Sequence, residues 1–296
     1  MWQTETVVAM LQKAGFDTEI ITMKTKGDKI LDTSIAKIGS KGVFTEELEE
    51  KLAEGSIDIA VHSAKDMPSR LPDGFQLIAF TEREKVNDVL LSRDSSLSIE
   101  DQEQKIRIGT SSVRRVALLH HHYPHVEVVD MRGNLQTRVK KLDSGVCDAL
   151  MLAYAGVKRM EYEDLIVKIF PEEDFVPPVG QGSIAIEAAA SLPADKRDRI
   201  RDCLNHRETE TRLLAERAFL KELEGGCSIP AFALARLDQQ ELTLAVGLIS
   251  LDGRKEIRHT LSGSWKEPAE LGRRAGRYIL EHGGRELLAE IREQQQ

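Results

Sequence analysis

The sequence predicts an α/β fold, because short apolar strands alternate with helical segments along the first two thirds of the chain. Three β-branched runs, at residues 57–61, 106–108 and 126–129, each end abruptly in a polar cluster, as strands of a parallel sheet do. Ligands of such sheets bind beyond the carboxyl ends of the strands. The polar clusters are therefore the first candidate for a functional site.

Helical periodicity accounts for the segments between and around these strands. The predicted helices cover residues 4–14, 45–54, 113–121, 135–144 and 207–222. Two joints interrupt the pattern. The first is the charged stretch 81–85, and the second is the Pro/Gly-rich stretch 175–182, which cannot form a regular helix or a central strand.

The pattern changes after about residue 205. A long helix is followed by two β-rich runs, at 242–248 and 256–261, which flank Leu251, Asp252 and Gly253. Two such runs around a short glycine-containing turn predict a hairpin. A helical stretch then closes the chain, so the last third is predicted to be a smaller unit of a different kind.

The composition indicates a folded protein with more than one domain. A chain of 296 residues can form two or three domains, and 41% apolar with 30% charged residues is not typical of disorder. The chain has no apolar run long enough for a membrane span, and its first residues do not resemble a secretory signal. Cys147, Cys203 and Cys227 are too few and too far apart for a disulfide framework or a CxxC metal site. We therefore expect a protein of the reducing cytoplasm.

The charge is unevenly distributed along the chain. The net charge of −8 argues against a general affinity for nucleic acid. Between residues 105 and 159, however, ten Lys and Arg side chains outnumber four Asp and Glu side chains, which leaves +6 there and −14 elsewhere. A cationic region within an acidic protein predicts a discrete anionic ligand.

The stretch from Gly109 to Arg115 combines a strand end, a small-residue turn and the start of a helix. Backbone amides and hydroxyl groups at such a turn suit an anion, and Arg114 and Arg115 would add charge-assisted hydrogen bonds. A Ser/Thr helix cap with solvated arginines is the alternative explanation. Arg132 and Arg138, at and just beyond the next strand end, favour a groove for carboxylate or phosphate groups.

The cluster from His62 to Asp66 places the Asp66 carboxylate beside the Lys65 ammonium group at a strand end. A carboxylate in a cleft can act as a general acid or base, or it can stabilise a developing positive charge. The alternative is a surface ion pair of little consequence.

Three other features are less specific. The glycine-punctuated segment 36–44 is predicted to be either a mobile lid over anions or a linker. The histidines at 120–122 do not predict a metal site, because consecutive helical residues do not share a face and no ligand set accompanies them. Cys147 and Cys203 are predicted to be small core residues, whereas Cys227 lies in the approachable loop EGGCSIP.

Several motifs occur in order along nearly the whole chain. They are KIGSKGVF from Lys37, AVHSAKDMP from Ala60, GTSSVRR from Gly109, MRGNLQTRVKKLDSG from Met131, LAYAGVKRM from Leu152, VGQG from Val179 and LEGGCSIP from Leu223. No single motif is decisive, but in this combination the sequence resembles the porphobilinogen deaminase (hydroxymethylbilane synthase) family.

The resemblance implies three domains and a reaction. Domain 1 would comprise 1–84 with 180–203, domain 2 would comprise 85–179, and domain 3 would comprise 204–296. The first two would be α/β domains like those of periplasmic binding proteins, joined by hinge crossings, and the third a smaller α+β domain.

The implied activity is that of a monomeric transferase of tetrapyrrole (haem) biosynthesis. It joins four porphobilinogen molecules head to tail, releases ammonia and yields hydroxymethylbilane. The implied cofactor is dipyrromethane, held by a thioether.

The matching motif positions assign roles to individual residues. Cys227 would be the attachment point of the cofactor, and Asp66 would be the catalytic carboxylate. Cofactor or substrate would be bound by Lys65, Thr110, Ser111, Ser112, Arg114, Arg115, Arg132, Arg138, Arg159 and Gln181. Lys37, Lys41 and Phe44 would belong to a loop over the active site. Each porphobilinogen carries an acetate and a propionate, which fits an arginine-rich groove better than a phosphate ligand does. No metal or nucleotide is implied.

The start of the chain departs from the family pattern. Family members usually have a strand and a basic turn before the segment that matches residues 2–4, so we expect this chain to lack the first strand of domain 1 and to be impaired.

A non-catalytic module of periplasmic-binding type for a small dicarboxylate is the alternative function, although it leaves Asp66 and Cys227 unused. A nucleic-acid binder is a third possibility, with the wrong charge and no aromatic platform.

Overall fold

The computed structural model describes residues 1–23, 45–226 and 228–295, and three β-sheets are present within them. The strands are β1 (Ala60–Ser63), β2 (Phe75–Phe80), β3 (Asp88–Leu91), β4 (Arg107–Gly109), β5 (Glu127–Val129), β6 (Ala149–Ala153), β7 (Ile166–Ile169), β8 (Ile184–Ala189), β9 (Ala231–Asp238), β10 (Glu241–Ile249) and β11 (Glu256–Ser264).

Nine α-helices lie within the same described residues. They are α1 (Trp2–Lys13), α2 (Glu46–Ala53), α3 (Val113–His122), α4 (Leu135–Asp143), α5 (Tyr154–Arg159), α6 (Ala194–Leu204), α7 (Arg207–Glu222), α8 (Pro268–Ile279) and α9 (Arg285–Gln294). Short 3₁₀ turns occur at Ala64–Asp66 and Glu163–Leu165, and Leu280–Gly284 forms a kinked link between α8 and α9. All five predicted helices form, and their ends agree with the prediction within two residues.

The first sheet has the order β1-β8-β2, with antiparallel neighbours. The run at 57–61 is predicted to be a strand of a parallel sheet. The strand exists as β1, but its partner among the described residues is the antiparallel β8, with Ala60 opposite Glu187. The predicted parallel pairing is therefore not found among the described residues, and the antiparallel partner enters this sheet only after the second sheet is complete. Val7 and Leu11 of α1 are buried under the sheet, one helical turn apart.

The second sheet has the order β5-β4-β6-β3-β7. β4 runs parallel to β5 and β6, which confirms the predicted parallel strands at 106–108 and 126–129. β3 is antiparallel to both β6 and β7. β3 and β6 are buried along their whole length, because Leu90 and Met151 pack on the α3 side whereas Val89 and Leu150 pack on the α4 side.

The third sheet is the antiparallel meander β11-β10-β9, and it confirms the predicted hairpin. α7 and α8 pack together against it so closely that a Cβ atom at Gly272 would clash with the Ala215 carbonyl oxygen. Three side chains of this sheet pack in the core of the second sheet and not in that of their own, namely Phe232, Leu234 and Ile249. The second and third sheets therefore share apolar packing. The domain boundaries drawn from the sequence stay a prediction.

Glu216 of α7 connects the three sheets. The stretches 81–85 and 175–182, here called the first and second crossings, join the first two sheets. Arg83 of the first crossing donates two hydrogen bonds to the Glu216 carboxylate, at 2.6 and 3.1 Å. The Gly180 amide of the second crossing donates to it at 3.0 Å, and the Ala235 amide of β9 at 2.9 Å. One fully buried carboxylate thus holds both crossings against the third sheet.

Replacing Glu216 with Gln tests this connection, because the amide keeps the shape of the side chain and removes its charge. We expect the free energy of unfolding to fall by about 3 kcal/mol, since Arg83 would then hold a buried charge without its counter-charge. Urea denaturation measures the change. As a control, Glu224→Gln alters an exposed carboxylate just beyond α7 and should change that free energy by less than about 0.5 kcal/mol. Equal stability of the Glu216→Gln variant and the unaltered protein would contradict the assignment.

Candidate functional site

The turn Ala64–Asp66 follows β1 and packs against the second crossing. The Ala64 amide donates to the Ser183 carbonyl oxygen at 2.9 Å. Gly180 has φ +79°, and a Cβ atom there would lie 2.8 Å from the Ala64 carbonyl carbon, so a glycine is required at this approach. The turn leaves Asp66 exposed and Lys65 half-buried. The predicted catalytic carboxylate is therefore presented to solvent on a constrained backbone.

Asp88, the first residue of β3, is fully buried and binds two of the predicted site arginines. Arg114 Nη2 donates to its Oδ2 at 2.5 Å, and Arg115 donates to its Oδ1 at 2.7 and 3.1 Å. Gln181 Nε2 donates to the same Oδ1 at 3.1 Å and to the Val86 carbonyl oxygen at 2.7 Å. Burial acts to raise the pKa of the Asp88 carboxyl, but the two guanidinium groups outweigh it and hold that pKa well below its usual value.

Asp88 is not among the site residues predicted from the sequence. The available signal was an acidic residue at the start of the apolar run that forms β3, because a charge buried there requires a partner. The two arginines also anchor the neighbouring backbone, with Arg114 donating to the Val176 carbonyl oxygen at 2.9 Å and Arg115 to that of Met151 at 3.1 Å. Their predicted role in ligand binding stays a prediction.

The turn between β4 and α3 carries the three predicted hydroxyl groups. Thr110 is almost fully buried, and its Oγ1 accepts from the Ser112 amide at 3.3 Å. Ser111 Oγ accepts from the Met131 amide at 3.0 Å, which joins this turn to the end of β5. Ser112 is the N-cap residue of α3, but its side chain makes no capping hydrogen bond. The helix-cap explanation of this stretch therefore does not hold for Ser112.

Arg132 lies beyond the end of β5, Arg138 lies in the first turn of α4, and Arg159 is the last residue of α5. Arg132 Nε donates to Asp130 Oδ2 at 3.0 Å, and Arg138 Nε donates to the Gly133 carbonyl oxygen at 2.8 Å. The Nε of Arg159 is buried and has no hydrogen-bond partner in the part of the chain that the structure describes. Burial lowers the pKa of both Arg138 and Arg159, so these cations are partly removed from water.

Asp66 belongs to a different sheet from Arg138 and Arg159, but its charge acts on both of these arginines. The charge of Asp66 opposes the effect of burial on the pKa of Lys65, Arg138 and Arg159. We call the space between Asp66 on the first sheet and Arg138 and Arg159 on the second the cleft. Partly desolvated cations with donor groups still available suit a ligand that carries several carboxylates, and the carboxylate opposite suits positive charge on the same ligand.

A buried group of ionisable side chains lies behind the turn, and the sequence analysis did not identify it. His62 Nε2 lies 2.9 Å from Glu187 Oε2, although their orientation does not form a hydrogen bond. Arg217 of α7 donates to the Pro68 carbonyl oxygen at 2.8 Å. Burial lowers the pKa of Arg217 to about 10, against the opposing charge of Glu187. α7 therefore holds the backbone just after Asp66.

Four predicted site residues lie outside the described part of the chain, namely Lys37, Lys41, Phe44 and Cys227. On either side of Cys227, Glu224 adopts φ +49° and Gln295 Nε2 donates to the Ser228 carbonyl oxygen at 2.7 Å. Within residues 1–23, 45–226 and 228–295, no three His, Cys, Asp or Glu side chains are grouped to hold a metal ion. No helix in those ranges is both long and apolar enough to cross a membrane.

Replacing Asp88 with Asn should lower the free energy of unfolding by about 3–5 kcal/mol, because two buried arginines would lose their counter-charge. The folded pKa of Asp88 is lowered, so its contribution is complete above the unfolded pKa of about 3.9 and is lost as the pH falls towards the folded value. The difference between the two proteins should therefore be constant from about pH 5 to 8 and shrink below about pH 4.

Urea denaturation at several pH values measures this difference. The matched control is Asp164→Asn, which alters an exposed carboxylate in the same part of the chain. It should leave the free energy of unfolding within about 0.5 kcal/mol of the unaltered protein. If the difference in free energy of unfolding between the Asp88→Asn variant and the unaltered protein grew as the pH fell, the pKa of Asp88 would not be lowered by folding.

Comparison with known families gives one result for the whole chain. A family model described as the porphobilinogen deaminase dipyrromethane cofactor binding domain matches residues 1–226, and one described as the porphobilinogen deaminase C-terminal domain matches residues 211–281. A porphobilinogen deaminase of Desulfosudis oleivorans is 60% identical over 295 residues, covering 100% of this chain and 95% of that protein. One from Cytophaga hutchinsonii is 51% identical over 296 residues, covering 99% and 93%. These alignments do not show the truncation that the sequence analysis expects.

Solved two-lobed binding proteins resemble the chain only distantly. The second substrate binding domain of a putative amino acid ABC transporter from Streptococcus pneumoniae is 14% identical, with a TM-score of 0.41, over 68% of this chain and 80% of that chain. At that level of similarity, the α/β fold class rests on the three sheets described above.

Proposed function

The chain belongs to the porphobilinogen deaminase family, and from this premise we propose that the cleft between its first two sheets performs the family reaction. The enzyme is a transferase of tetrapyrrole biosynthesis that joins four porphobilinogen molecules head to tail, with release of ammonia, to give hydroxymethylbilane. A non-catalytic dicarboxylate-binding module is not favoured, because both matching family models are porphobilinogen deaminase domains.

The observation that supports this site is the opposition of Asp66 to Arg138 and Arg159. Every pyrrole unit of the product carries two carboxylates, so the growing chain needs many cationic partners. Both arginines are partly desolvated, and the Arg159 Nε has no hydrogen-bond partner among the described residues. A carboxylate exposed within electrostatic reach of such cations can then act on the pyrrole ring while the arginines hold its side chains.

In the proposed mechanism, the bond between the methylene carbon and the amino nitrogen of porphobilinogen breaks and the amino group leaves as ammonia, while the methylene carbon stays on the ring. Asp66 stabilises the positive charge that develops on the ring in this step. The same carboxylate can then receive the proton that the ring carbon releases when the new carbon–carbon bond forms. Its constrained turn keeps it in place, since Ala64 is bound to Ser183 and packed against Gly180. Arg132, like the two arginines opposite Asp66, is proposed to bind acetate and propionate groups.

The cofactor is dipyrromethane, in agreement with the description of the domain that matches residues 1–226. When bound, it supplies the primer to which substrate units are joined. Its four carboxylates fit the cations of the cleft, and the buried, unpartnered Nε of Arg159 is a donor that such a group would satisfy. We propose that Cys227 holds the cofactor through a thioether.

The remaining predicted site residues complete the proposal. Lys65, Thr110, Ser111, Ser112, Arg114, Arg115 and Gln181 contribute to cofactor or substrate binding, directly or by shaping the base of the cleft. Lys37, Lys41 and Phe44 cover the site. Action as a monomer in the cytoplasm, without nucleic acid or membrane partners, belongs to the same proposal and rests on the composition and charge of the sequence.

Intact mass tests the proposed attachment at Cys227. Protein purified from cells that make porphobilinogen should be heavier than its sequence mass by two pyrrole units, and Cys227→Ser should remove that increment, because a hydroxyl group does not supply the thiolate nucleophile. Cys203→Ser is the matched control, since Cys203 is a free, half-buried cysteine outside the proposed site, and it should keep the adduct. An adduct retained by the Cys227→Ser variant would refute the attachment.

Replacing Asp66 with Asn tests the proposed catalytic carboxylate. We expect kcat to fall by at least ~100-fold, because the amide neither stabilises the developing cation nor accepts a proton. The fold should be retained, since Asp66 is exposed, and circular dichroism checks this. Asp73→Asn, in an exposed turn after β1, should leave kcat unchanged. Normal turnover by the Asp66→Asn variant would remove Asp66 from this role.

A further inference from the structure

Trp2 begins α1, and several contacts fix its place beside the turn that carries Asp66. The helix is anchored by the buried side chains of Val7 and Leu11. Gln3 Nε2 donates to Ser63 Oγ at 2.9 Å, which ties the first turn of α1 to the end of β1. Trp2 is therefore held on the first-sheet side of the cleft, at the level of the proposed catalytic turn.

The indole ring of Trp2 contacts a cation from the opposite side of the cleft. The guanidinium carbon of Arg159 lies over the ring, 4.9 Å from its centroid, which is within the range of a cation–π interaction. α5, which ends at Arg159, is itself held in place by the fully buried Val157 and by the ion pair between Lys158 and Glu84. The contact therefore joins two anchored helices of different domains.

A guanidinium group that lies flat over an aromatic ring keeps its donor edge available for a ligand. An aromatic ring interacts with the flat face of the group, whereas the N–H bonds lie in its plane, where they can bind a carboxylate in a bidentate manner. The Nε of Arg159 is buried and has no hydrogen-bond partner among residues 1–23, 45–226 and 228–295. Trp2 keeps 46% of its surface exposed, so it is not a core side chain whose main role is packing.

We propose that Trp2 is a positioning residue that orients the Arg159 guanidinium to receive a carboxylate of the pyrrole substrate from across the cleft. The proposal rests on the function proposed above, and it adds the uncharged side chain of Trp2 to the residues that take part in substrate binding. Because the contact crosses the cleft, it also favours the arrangement in which Asp66 and Arg159 act on the same ligand.

Steady-state kinetics with Trp2→Leu and Trp2→Phe tests the proposal. Leu fills part of the space but has no π face, so the KM for porphobilinogen should rise about three- to tenfold. Phe keeps an aromatic face and should restore the KM to within about twofold of the unaltered enzyme. The kcat, normalised to the fraction that carries the cofactor by intact mass, should change by less than about twofold in both variants.

Two further variants separate this role from a general structural one. In an Arg159→Gln background, which removes the cation, Trp2→Leu should cause no additional rise in KM. Phe16→Leu removes a second cation–π pair, with Arg199 at 4.6 Å, that lies away from the cleft, and it should leave the KM unchanged. An equal effect of Trp2→Leu in both backgrounds would overturn the proposal.

Fluorescence gives a readout that does not depend on activity. The chain has two tryptophans, Trp2 and Trp265, so in a Trp265→Phe variant the emission reports on Trp2 alone. Adding Arg159→Gln should change the intensity and wavelength of that emission, because the stacked cation is removed. Unchanged emission would show that the contact does not form and would overturn the proposal.

The outcomes also separate this proposal from the function on which it rests. If the unaltered protein makes no hydroxymethylbilane, the proposed function is wrong, and the positioning role is wrong with it. If the unaltered protein is active and Trp2→Leu has the same KM, only the positioning role is wrong.

Discussion

The arrangement of the cleft depends on the buried carboxylate of Asp88. Two arginines and Gln181 converge on it, and through them the start of β3, the start of α3 and the second crossing are joined. A charge removed from water is costly unless it is paired, so each partner is needed by the others. This mutual requirement sets where α3 begins relative to the sheet, and with it where the turn Thr110–Ser112 lies.

The buried carboxylate of Glu216 joins the three sheets for the same reason, since it also needs partners once it is removed from water. Glu216 is bound by Arg83, Gly180 and Ala235, which come from the two crossings and the third sheet. The same Gly180 packs against the turn that carries Asp66. The position of the proposed catalytic group is therefore coupled to α7, the helix that leads towards Cys227, through contacts that involve no substrate.

Local pattern was sufficient for much of the fold. The helix at 207–222 forms as predicted, and β4 and β5 are parallel because α3 connects them as a crossover. β1 shows the limit of such reasoning. Its four residues indicate a strand, but its partner β8 follows the whole second sheet in the chain, and nothing in the short run identifies a partner so distant in sequence.

By itself, the sequence determined the order of the motifs and the family, and it predicted the chemical types at the proposed site, including Asp66 and the arginines beyond the strand ends. Only the tertiary structure decided that Asp88 pairs with two of those arginines and that Trp2 stacks on Arg159. The reason is physical. Periodicity and turn preferences act between neighbours in the chain, whereas the burial and pairing of charges depend on distances between remote segments, which exist only once the sheets have packed.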